Sequence, residues 1–239
     1  MSAAAPAADV TAVVLVSRGG APLARTMASL AWTARRLLVD PSGALAAEGW
    51  PAGAGAWPAD GPAGWVLLLA EGEVASDALA SAVAEAVRGT DGAYRVAVEC
   101  EGFGGAVRLA GRPLRLALRP HRELRVCLGG EISLTADARP RHLSRGAIVG
   151  SLAPEPGGAV AALNAETTVL AILAAAAGVR PRCWRLALGG AIGAGRVLFG
   201  RARAPLGWGR WITAVFAGYR ALLAEAKLWE RRELGMAPS

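Results

Sequence analysis

The alternation of apolar and polar stretches in the first 90 residues predicts strands that alternate with helices. Apolar, largely β-branched runs predict buried strands at residues 10–17, 36–40 and 65–69. Apolar positions at helical spacing predict helices at residues 21–32 and 77–88. Because a strand–helix–strand unit joins parallel strands by a right-handed crossover, this part of the chain is predicted to form a Rossmann-like parallel sheet.

The pattern changes twice after this parallel half. Residues 44–64 are rich in Gly, Ala and Pro and predict an irregular or partly helical connection. Short strand-like runs predict an antiparallel part of the sheet at residues 94–100, 106–109, 114–118 and 123–128. Long apolar stretches then predict helices at residues 159–179, 181–203 and 207–234. The predicted organisation is a disordered terminus (1–9), a mixed α/β domain (10–157) and a helical, basic C-terminal region (158–239).

The central predicted strand ends in an acidic turn, Glu71-Gly72-Glu73, and a helix begins a few residues later at Asp77. Open α/β sheets bind ligands at the carboxyl ends of their strands, so two carboxylates at this position predict a ligand site. The alternative is a solvated acidic turn, which the dipole of the following helix would favour.

Charge separates the C-terminal quarter from the rest of the chain. The net charge is +7, and residues 180–239 hold eleven basic and three acidic residues. Arginines alternate there with aromatic and aliphatic residues, which predicts an amphipathic segment lying on an anionic membrane surface. The residues predicted to face the membrane are Trp208, Arg210, Trp211, Phe216, Tyr219 and Trp229. The alternative is that these helices pack over the α/β domain and expose their arginines.

Composition excludes several other classes of function. Three scattered cysteines and two histidines do not provide a disulfide framework, a histidine metal site or a Ser-His-Asp triad. No stretch of about 20 residues is both apolar and free of charge, so no standard membrane span is predicted. Basic charge is the only feature that suggests nucleic-acid binding, and the known recognition motifs are missing from the sequence, so no nucleic-acid partner is expected.

Motifs along most of the chain resemble one family. The N-terminal motifs are Ser29-Leu30-Ala31-Trp32, Val39-Asp40-Pro41-Ser42 and the run from Trp65 into the acidic turn. The C-terminal motifs are Leu163-Asn164, Thr167-Thr168, Leu206-Gly207-Trp208-Gly209 and Ala226-Lys227-Leu228-Trp229-Glu230. Together they resemble family-2 glycosyltransferases with the GT-A fold, in particular the lipopolysaccharide-core glucosyltransferase type. The resemblance implies a GT-A-like mixed sheet followed by a helical, amphipathic extension.

The resemblance also implies binding residues for a UDP-sugar donor. Asp40, with Ser42 beside it, occupies the place expected to bind the base, although an Asx-turn is an equal explanation for this aspartate. The family's Asp-x-Asp-Glu motif binds Mg²⁺ or Mn²⁺ on the diphosphate, and its two aspartates align with Ala70 and Gly72. Glu71 and Glu73 remain as a Glu-x-Glu pair that could face one cation.

The acceptor side departs from the family as well. The catalytic His-Glu pair of the family aligns with Gly130-Glu131, so Glu131 is the candidate base that activates the acceptor hydroxyl, or else an ordinary turn carboxylate. The family's Arg-Tyr near Asn164 is replaced by Ala165-Glu166.

The sequence therefore predicts an inverting transferase of cell-envelope glycan synthesis whose activity is weakened or lost. It would act on a lipid-linked glycan acceptor as a peripheral protein at the cytoplasmic face of the inner membrane. The alternative is a non-catalytic module that binds a partner or a nucleotide sugar at the membrane.

Overall fold

The computed structural model describes residues 7–43, 45, 64–88, 92–102, 105–108, 114–118, 124–126, 128, 130, 132–134, 139–151, 156–199 and 208–233. In chain order its elements are β1 (Ala7–Leu15), α1 (Gly20–Ser29), β2 (Thr33–Val39), β3 (Trp65–Ala70), β4 (Glu73–Ala75), α2 (Asp77–Ala86), β5 (Gly92–Gly102), β6 (Gly105–Arg108), β7 (Leu114–Leu118), β8 (Leu124–Val126), β9 (Ile132–Leu134), β10 (Arg141–Ser151), α3 (Pro156–Ala176), α4 (Cys183–Phe199) and α5 (Trp208–Glu233). The predicted connection at residues 44–64 lies outside the described residues, apart from residues 45 and 64.

One large mixed sheet organises these elements, as predicted for an α/β protein. Its strands follow the order β2-β1-β3-β7-β5-β10-β4, and β6 pairs with β5 beside this path. β1 runs parallel to both β2 and β3, with Val10 opposite Trp65 and Leu15 opposite Ala70. The parallel N-terminal half is therefore confirmed, and β3 lies in the interior of the sheet. β1 begins at Ala7, three residues before the predicted start of the domain.

The second half of the sheet differs in part from the prediction. β6 and β7 are antiparallel to β5, as expected, and β7 is also antiparallel to β3. The strand predicted within residues 123–128 does not join this sheet, because β8 pairs with β9 in a separate two-stranded sheet. β5 also runs parallel to β10, which lies on its other side. The sequence analysis missed β10 because Arg141, Arg145 and Gly146 interrupt its apolar pattern.

Helices cover both faces of the sheet. α1 and α2 bury Leu23 and Leu79 against one face, in a core that includes alternate residues of β1, β3 and β5. α3 buries Val169, Leu170 and Leu173 against the other face. Burial on both faces explains why the central strands are apolar throughout rather than alternating.

α3 is a layer of the α/β core as well as the start of the helical region. It is the one helix among the described residues that is long and apolar enough to cross a membrane, over residues 157–176 with a mean hydropathy of 1.7. Half of that stretch is buried inside the protein, which accounts for its apolar composition. α5 packs against α3, with Leu228 buried beside Ala171 and Ala174.

α4 and α5 form a closely packed antiparallel pair, called the α4–α5 pair below. A methyl group on Gly193 would lie 2.8 Å from the carbonyl oxygen of Ala217, and one on Gly218 would lie 2.6 Å from that of Gly190. Only glycine therefore allows the two backbones to come this close. The pair is further joined at one end, where the buried Glu225 accepts a hydrogen bond from the backbone N–H of Arg182 at 2.7 Å.

Candidate functional site at the carboxyl edge of the sheet

The candidate residues of the N-terminal half converge on one edge of the sheet. β1, β2 and β3 are parallel and end at Leu15, Val39 and Ala70. The loop before α1, the turn at Asp40 and the turn at Glu71 therefore follow three neighbouring strands at the same edge. This is the position at which open α/β sheets bind ligands.

Glu71 fills the loop between β1 and α1 with its own carboxylate. Its Oε2 accepts hydrogen bonds from the backbone N–H groups of Ser17 (2.7 Å), Arg18 (2.7 Å) and Gly19 (3.1 Å), and from the Ser17 hydroxyl (3.2 Å). Convergent N–H groups before a helix are the arrangement that binds phosphates and other anions. Here the chain itself supplies the anion. The other oxygen, Oε1, is buried and has no hydrogen-bond partner among the described residues.

α1 fixes the shape of the acidic turn. The Thr26 hydroxyl accepts a hydrogen bond from the N–H of Gly72 (3.0 Å), and the Ser29 hydroxyl accepts one from the N–H of Ala75 (3.1 Å). Gly72 has a φ of +85°, a conformation that side chains disfavour. An aspartate at position 72, where the resemblance expects one, would therefore be strained in this turn.

Glu73 is bound by a buried arginine that the sequence analysis did not single out. Arg115 on β7 donates from Nη2 to Oε1 of Glu73 (3.0 Å) and from Nη1 to Oε2 (3.2 Å). Oε2 also accepts a hydrogen bond from the N–H of Ala70 (2.6 Å). The two side chains are 6% and 13% exposed. The guanidinium therefore supplies to Glu73 the positive charge that a divalent cation would otherwise supply.

The described residues at this edge do not fit an Mg²⁺ or Mn²⁺ site. Glu71 and Glu73 bind different partners, the loop before α1 and Arg115 respectively. Within the described ranges, no three His, Cys, Asp or Glu residues come together as metal ligands would. Mg²⁺ prefers six oxygen ligands in near-octahedral geometry, and two carboxylates already committed elsewhere do not supply them.

Asp40 forms the Asx-turn that was the alternative to base binding. It is buried, and its Oδ1 accepts hydrogen bonds from the N–H (3.2 Å) and hydroxyl (2.9 Å) of Ser42. Its Oδ2 accepts a hydrogen bond from the N–H of Leu45 at 2.7 Å. Both predicted base-binding residues thus stabilise the turn that follows β2.

A second ion pair lies beside the first, on the face of the sheet covered by α3. Glu166 on α3 binds Arg220 on α5, with 2.6 Å between Oε1 and Nη2. A methyl group on Gly130 would lie 3.0 Å from Nη2 of Arg220, 3.9 Å from Nη2 of Arg115 and 4.0 Å from Oε1 of Glu166. Side chains from β7, α3 and α5 therefore converge next to Gly130. Glu131, the candidate base, lies outside the described residues.

Arg115, Glu166 and Arg220 are the site residues that sequence reasoning missed. Glu166 was noted only as a departure from the family, and Arg115 lies in a strand-like run of otherwise apolar residues, Leu114–Leu118. Successive side chains of a strand point to opposite faces, so a charged residue between apolar neighbours is more typical of a strand with one face in solvent. The sequence pattern therefore does not indicate that Arg115 is buried and needs a partner of opposite charge.

Glu166→Gln is expected to change how stability depends on pH. Burial opposes ionisation of Glu166, but the charge and hydrogen bonds of Arg220, with the charge of Arg115, outweigh it and hold the pKa of Glu166 below its ordinary value. A carboxyl whose pKa is lower in the folded state adds stability at neutral pH that is lost as the pH falls below about 4.3. The variant should therefore be about 1–3 kcal/mol less stable at pH 7, and the difference should narrow in acid.

Urea unfolding followed across the acid range measures this difference. Glu85→Gln is the matched control, because Glu85 is exposed on α2 and its loss should change stability by less than about 0.5 kcal/mol. Parallel pH profiles for wild type and Glu166→Gln would contradict the assigned role of the pair.

The predicted membrane-facing residues separate into two groups in the structure. Trp208, Trp211, Tyr219 and Trp229 are exposed on α5, as predicted. Arg210 is half-buried and donates hydrogen bonds to the carbonyl groups of Val197 and Leu198 near the end of α4. Phe216 is also half-buried and makes contacts within the protein. The guanidinium of Arg210 thus caps the C-terminal end of α4 and is not a free surface cation.

Comparison with known proteins gives no relative from which function could be transferred: no protein-family model matches the chain, and no curated protein matches it. The geometry of the carboxyl edge is therefore the basis for the functional proposal.

Proposed function

We propose that this protein is a family-2-like glycosyltransferase of cell-envelope glycan synthesis in which metal-dependent sugar transfer is lost or strongly weakened. The observation that carries the proposal is the use of both turn carboxylates within the protein, Glu71 by the loop before α1 and Glu73 by Arg115. A transferase of this type relies on a divalent cation to neutralise the leaving diphosphate. A guanidinium and backbone N–H groups take up the carboxylates that would hold that cation.

Two further observations support the relationship on which the proposal rests. The N-terminal half of the sheet is parallel. β7 then lies between β3 and β5, which run in one direction, and is antiparallel to both, an arrangement compatible with a GT-A-like mixed sheet. Three of the four C-terminal motifs also meet in space, because Nζ of Lys227 donates hydrogen bonds to Oδ1 of Asn164 and Oγ1 of Thr168, both at 2.6 Å. Residues that match motifs of the resembled family are thus joined in one contact between α3 and α5.

A non-catalytic module is the second candidate function. The buried Asx-turn at Asp40 and the filled loop at Glu71 favour it, since both predicted nucleotide contacts are used to hold the fold. In this case the protein would bind a partner transferase or a nucleotide sugar without turning it over.

Turnover measurements with a panel of UDP-sugars and Mn²⁺ or Mg²⁺ test the proposal. We expect no release of UDP above the rate without protein, for wild type and for Glu71→Ala and Glu73→Ala alike. Metal-dependent turnover that either substitution abolishes, in a variant still folded by circular dichroism, would refute the loss of catalysis. Deletion of the protein then separates the candidates. An envelope-glycan defect that a chain carrying Glu71→Ala, Glu73→Ala and Glu131→Ala repairs as well as wild type does would favour the non-catalytic module over a weakened transferase.

A further inference from the structure

The α4–α5 pair has a large apolar surface that the rest of the described structure leaves exposed. Ten of the eleven exposed large hydrophobic residues in the described ranges lie on it. On α4 they are Trp184, Leu188, Ile192 and Phe199; on α5 they are Trp208, Trp211, Val215, Tyr219, Leu222 and Trp229. Isolated exposed apolar residues are normal, but a concentration of this size on one element pair indicates an interaction surface.

Among the described elements, α4 packs chiefly against α5. It packs on α5 through Gly190 and Gly193, and α5 in turn packs on α3. Its exposed apolar residues include Trp184, Leu188 and Ile192, which follow one another at intervals of four and therefore lie on one side of the helix. The only charged residues within α4 are Arg185 and Arg196. A helix of this composition would leave much apolar surface in water unless another phase or molecule covers it.

The positive charge of the α4–α5 pair indicates which kind of partner covers its apolar surface. Residues 180–199 and 208–233 include nine Arg or Lys residues and three Glu residues. Arg210, Arg220, Lys227 and Glu225 bind partners within the protein, which leaves six basic and two acidic residues for the surface. Two copies of this surface facing each other would repel, because both are positive. Anionic lipid headgroups would instead be attracted, with about 1 kcal/mol for each basic residue near the surface. Four of the exposed residues are tryptophans, the side chain that prefers the headgroup level of a bilayer.

We infer that the α4–α5 pair docks on an anionic lipid bilayer, with α4 lying in the plane of the membrane at the boundary between headgroups and acyl chains. Leu188 and Ile192 enter the apolar layer. Arg185, whose guanidinium carbon lies 5.4 Å from the centre of the Trp184 ring, extends to the phosphates, as Arg196 does nearer the other end of the helix. This inference concerns the surface alone and holds whether or not the protein transfers sugar.

The exposed side chains extend the surface beyond the residues that the sequence analysis named. The sequence analysis assigned the whole basic C-terminal region to the membrane but named residues of α5 alone, and two of these, Arg210 and Phe216, are half-buried. The exposed side chains of α4 add Trp184, Leu188, Ile192 and Phe199.

Flotation of the full-length protein with lipid vesicles tests the inference. Wild type should float with vesicles of phosphatidylcholine and phosphatidylglycerol, and less with phosphatidylcholine alone. Leu188→Glu should weaken partitioning into the anionic vesicles about tenfold, because it removes one apolar side chain from the acyl layer and adds a negative charge. Leu188 is 55% exposed, so the fold should be unchanged, which circular dichroism and the unfolding temperature verify.

Val160→Glu is the matched control. Val160 is 42% exposed on α3, outside the α4–α5 pair, so the same kind of charge change there should leave flotation unchanged. Failure of wild type to float with anionic vesicles, or equal flotation of Leu188→Glu and wild type, would overturn the inference. So would a wild-type dimer in light scattering that Leu188→Glu converts to a monomer without any vesicle binding, since the surface would then belong to a second copy.

Discussion

Arg115→Met is expected to lower the free energy of unfolding by about 3–5 kcal/mol, because it leaves the carboxylate of Glu73 buried without its cation. Arg115 and Glu73 are 6% and 13% exposed, so water cannot take over the role of the guanidinium at either oxygen. The methionine side chain keeps most of the apolar volume of the arginine. The decrease in the free energy of unfolding therefore reports the unpaired charge of Glu73 rather than lost packing, and chemical denaturation measures it directly.

A double substitution separates the ion pair from other effects. Arg115→Met combined with Glu73→Gln removes both charges but keeps an oxygen that can accept the hydrogen bond from the N–H of Ala70. We expect the double variant to recover at least half of the loss, as is common when both partners of a buried pair become neutral. If Arg115→Met alone cost less than about 1 kcal/mol, Glu73 would be accessible to solvent and free to bind a cation, contrary to the functional proposal.

Gly146→Ala is expected to be the most damaging single methyl addition in the described sheet, with a loss of about 3 kcal/mol or more. Its Cβ would lie 2.3 Å from both the N and Cα atoms of Leu79, which are backbone atoms at the start of α2 and cannot move aside. Gly146 also has a φ of +77° within a register shift of β10. The adjacent Ala147 donates its N–H to the hydroxyl of Ser76, the N-cap of α2, so the strain would reach the segment that follows the acidic turn.

Substitutions at two control glycines separate the steric clash at Gly146 from the cost of its backbone conformation. Gly178 has a φ of +74° but nothing within 4 Å of an added methyl group, so Gly178→Ala should show the backbone cost alone, about 1–2 kcal/mol. Gly157 lies in α3 and has neither constraint, so Gly157→Ala should raise stability by up to about 1 kcal/mol. Equal unfolding temperatures for Gly146→Ala and Gly178→Ala would show that α2 shifts to accept the methyl group.

The parallel half of the fold was predictable because β1 and β3 are apolar along most of their length and β2 ends in an apolar run at residues 37–39. Runs such as Trp65–Ala70 contain no polar side chain that would have to reach solvent, which is typical of a strand buried on both faces. Each such run ends at turn residues, which mark the carboxyl edge of the sheet. Parallel pairing of β1, β2 and β3 then follows from the helix between the first two strands and from chain order. The meeting of Asp40, Ser42 and Glu71 at one edge was predictable for the same reason.

The partners of the site residues were not predictable from the sequence. Glu71 and Glu73 are two positions apart, and either could face solvent, a cation or the protein. The choice depends on Arg115, which is 42 positions from Glu73, and on the loop 52 to 54 positions before Glu71. Such contacts are set by how β7 inserts beside β3, an arrangement that local patterns of apolar residues do not encode.

The single lysine of the chain has a consequence for chemical labelling. Nζ of Lys227 on α5 is bound by Asn164 and Thr168 on α3, and burial with the charge of Arg231 outweighs Glu230 and lowers the pKa of this lysine. A lowered pKa leaves more of the reactive neutral amine, but acylation has to withdraw the nitrogen from its acceptors on α3. The rate at which an amine-directed reagent modifies this one side chain therefore measures how often Nζ of Lys227 leaves its acceptors on α3.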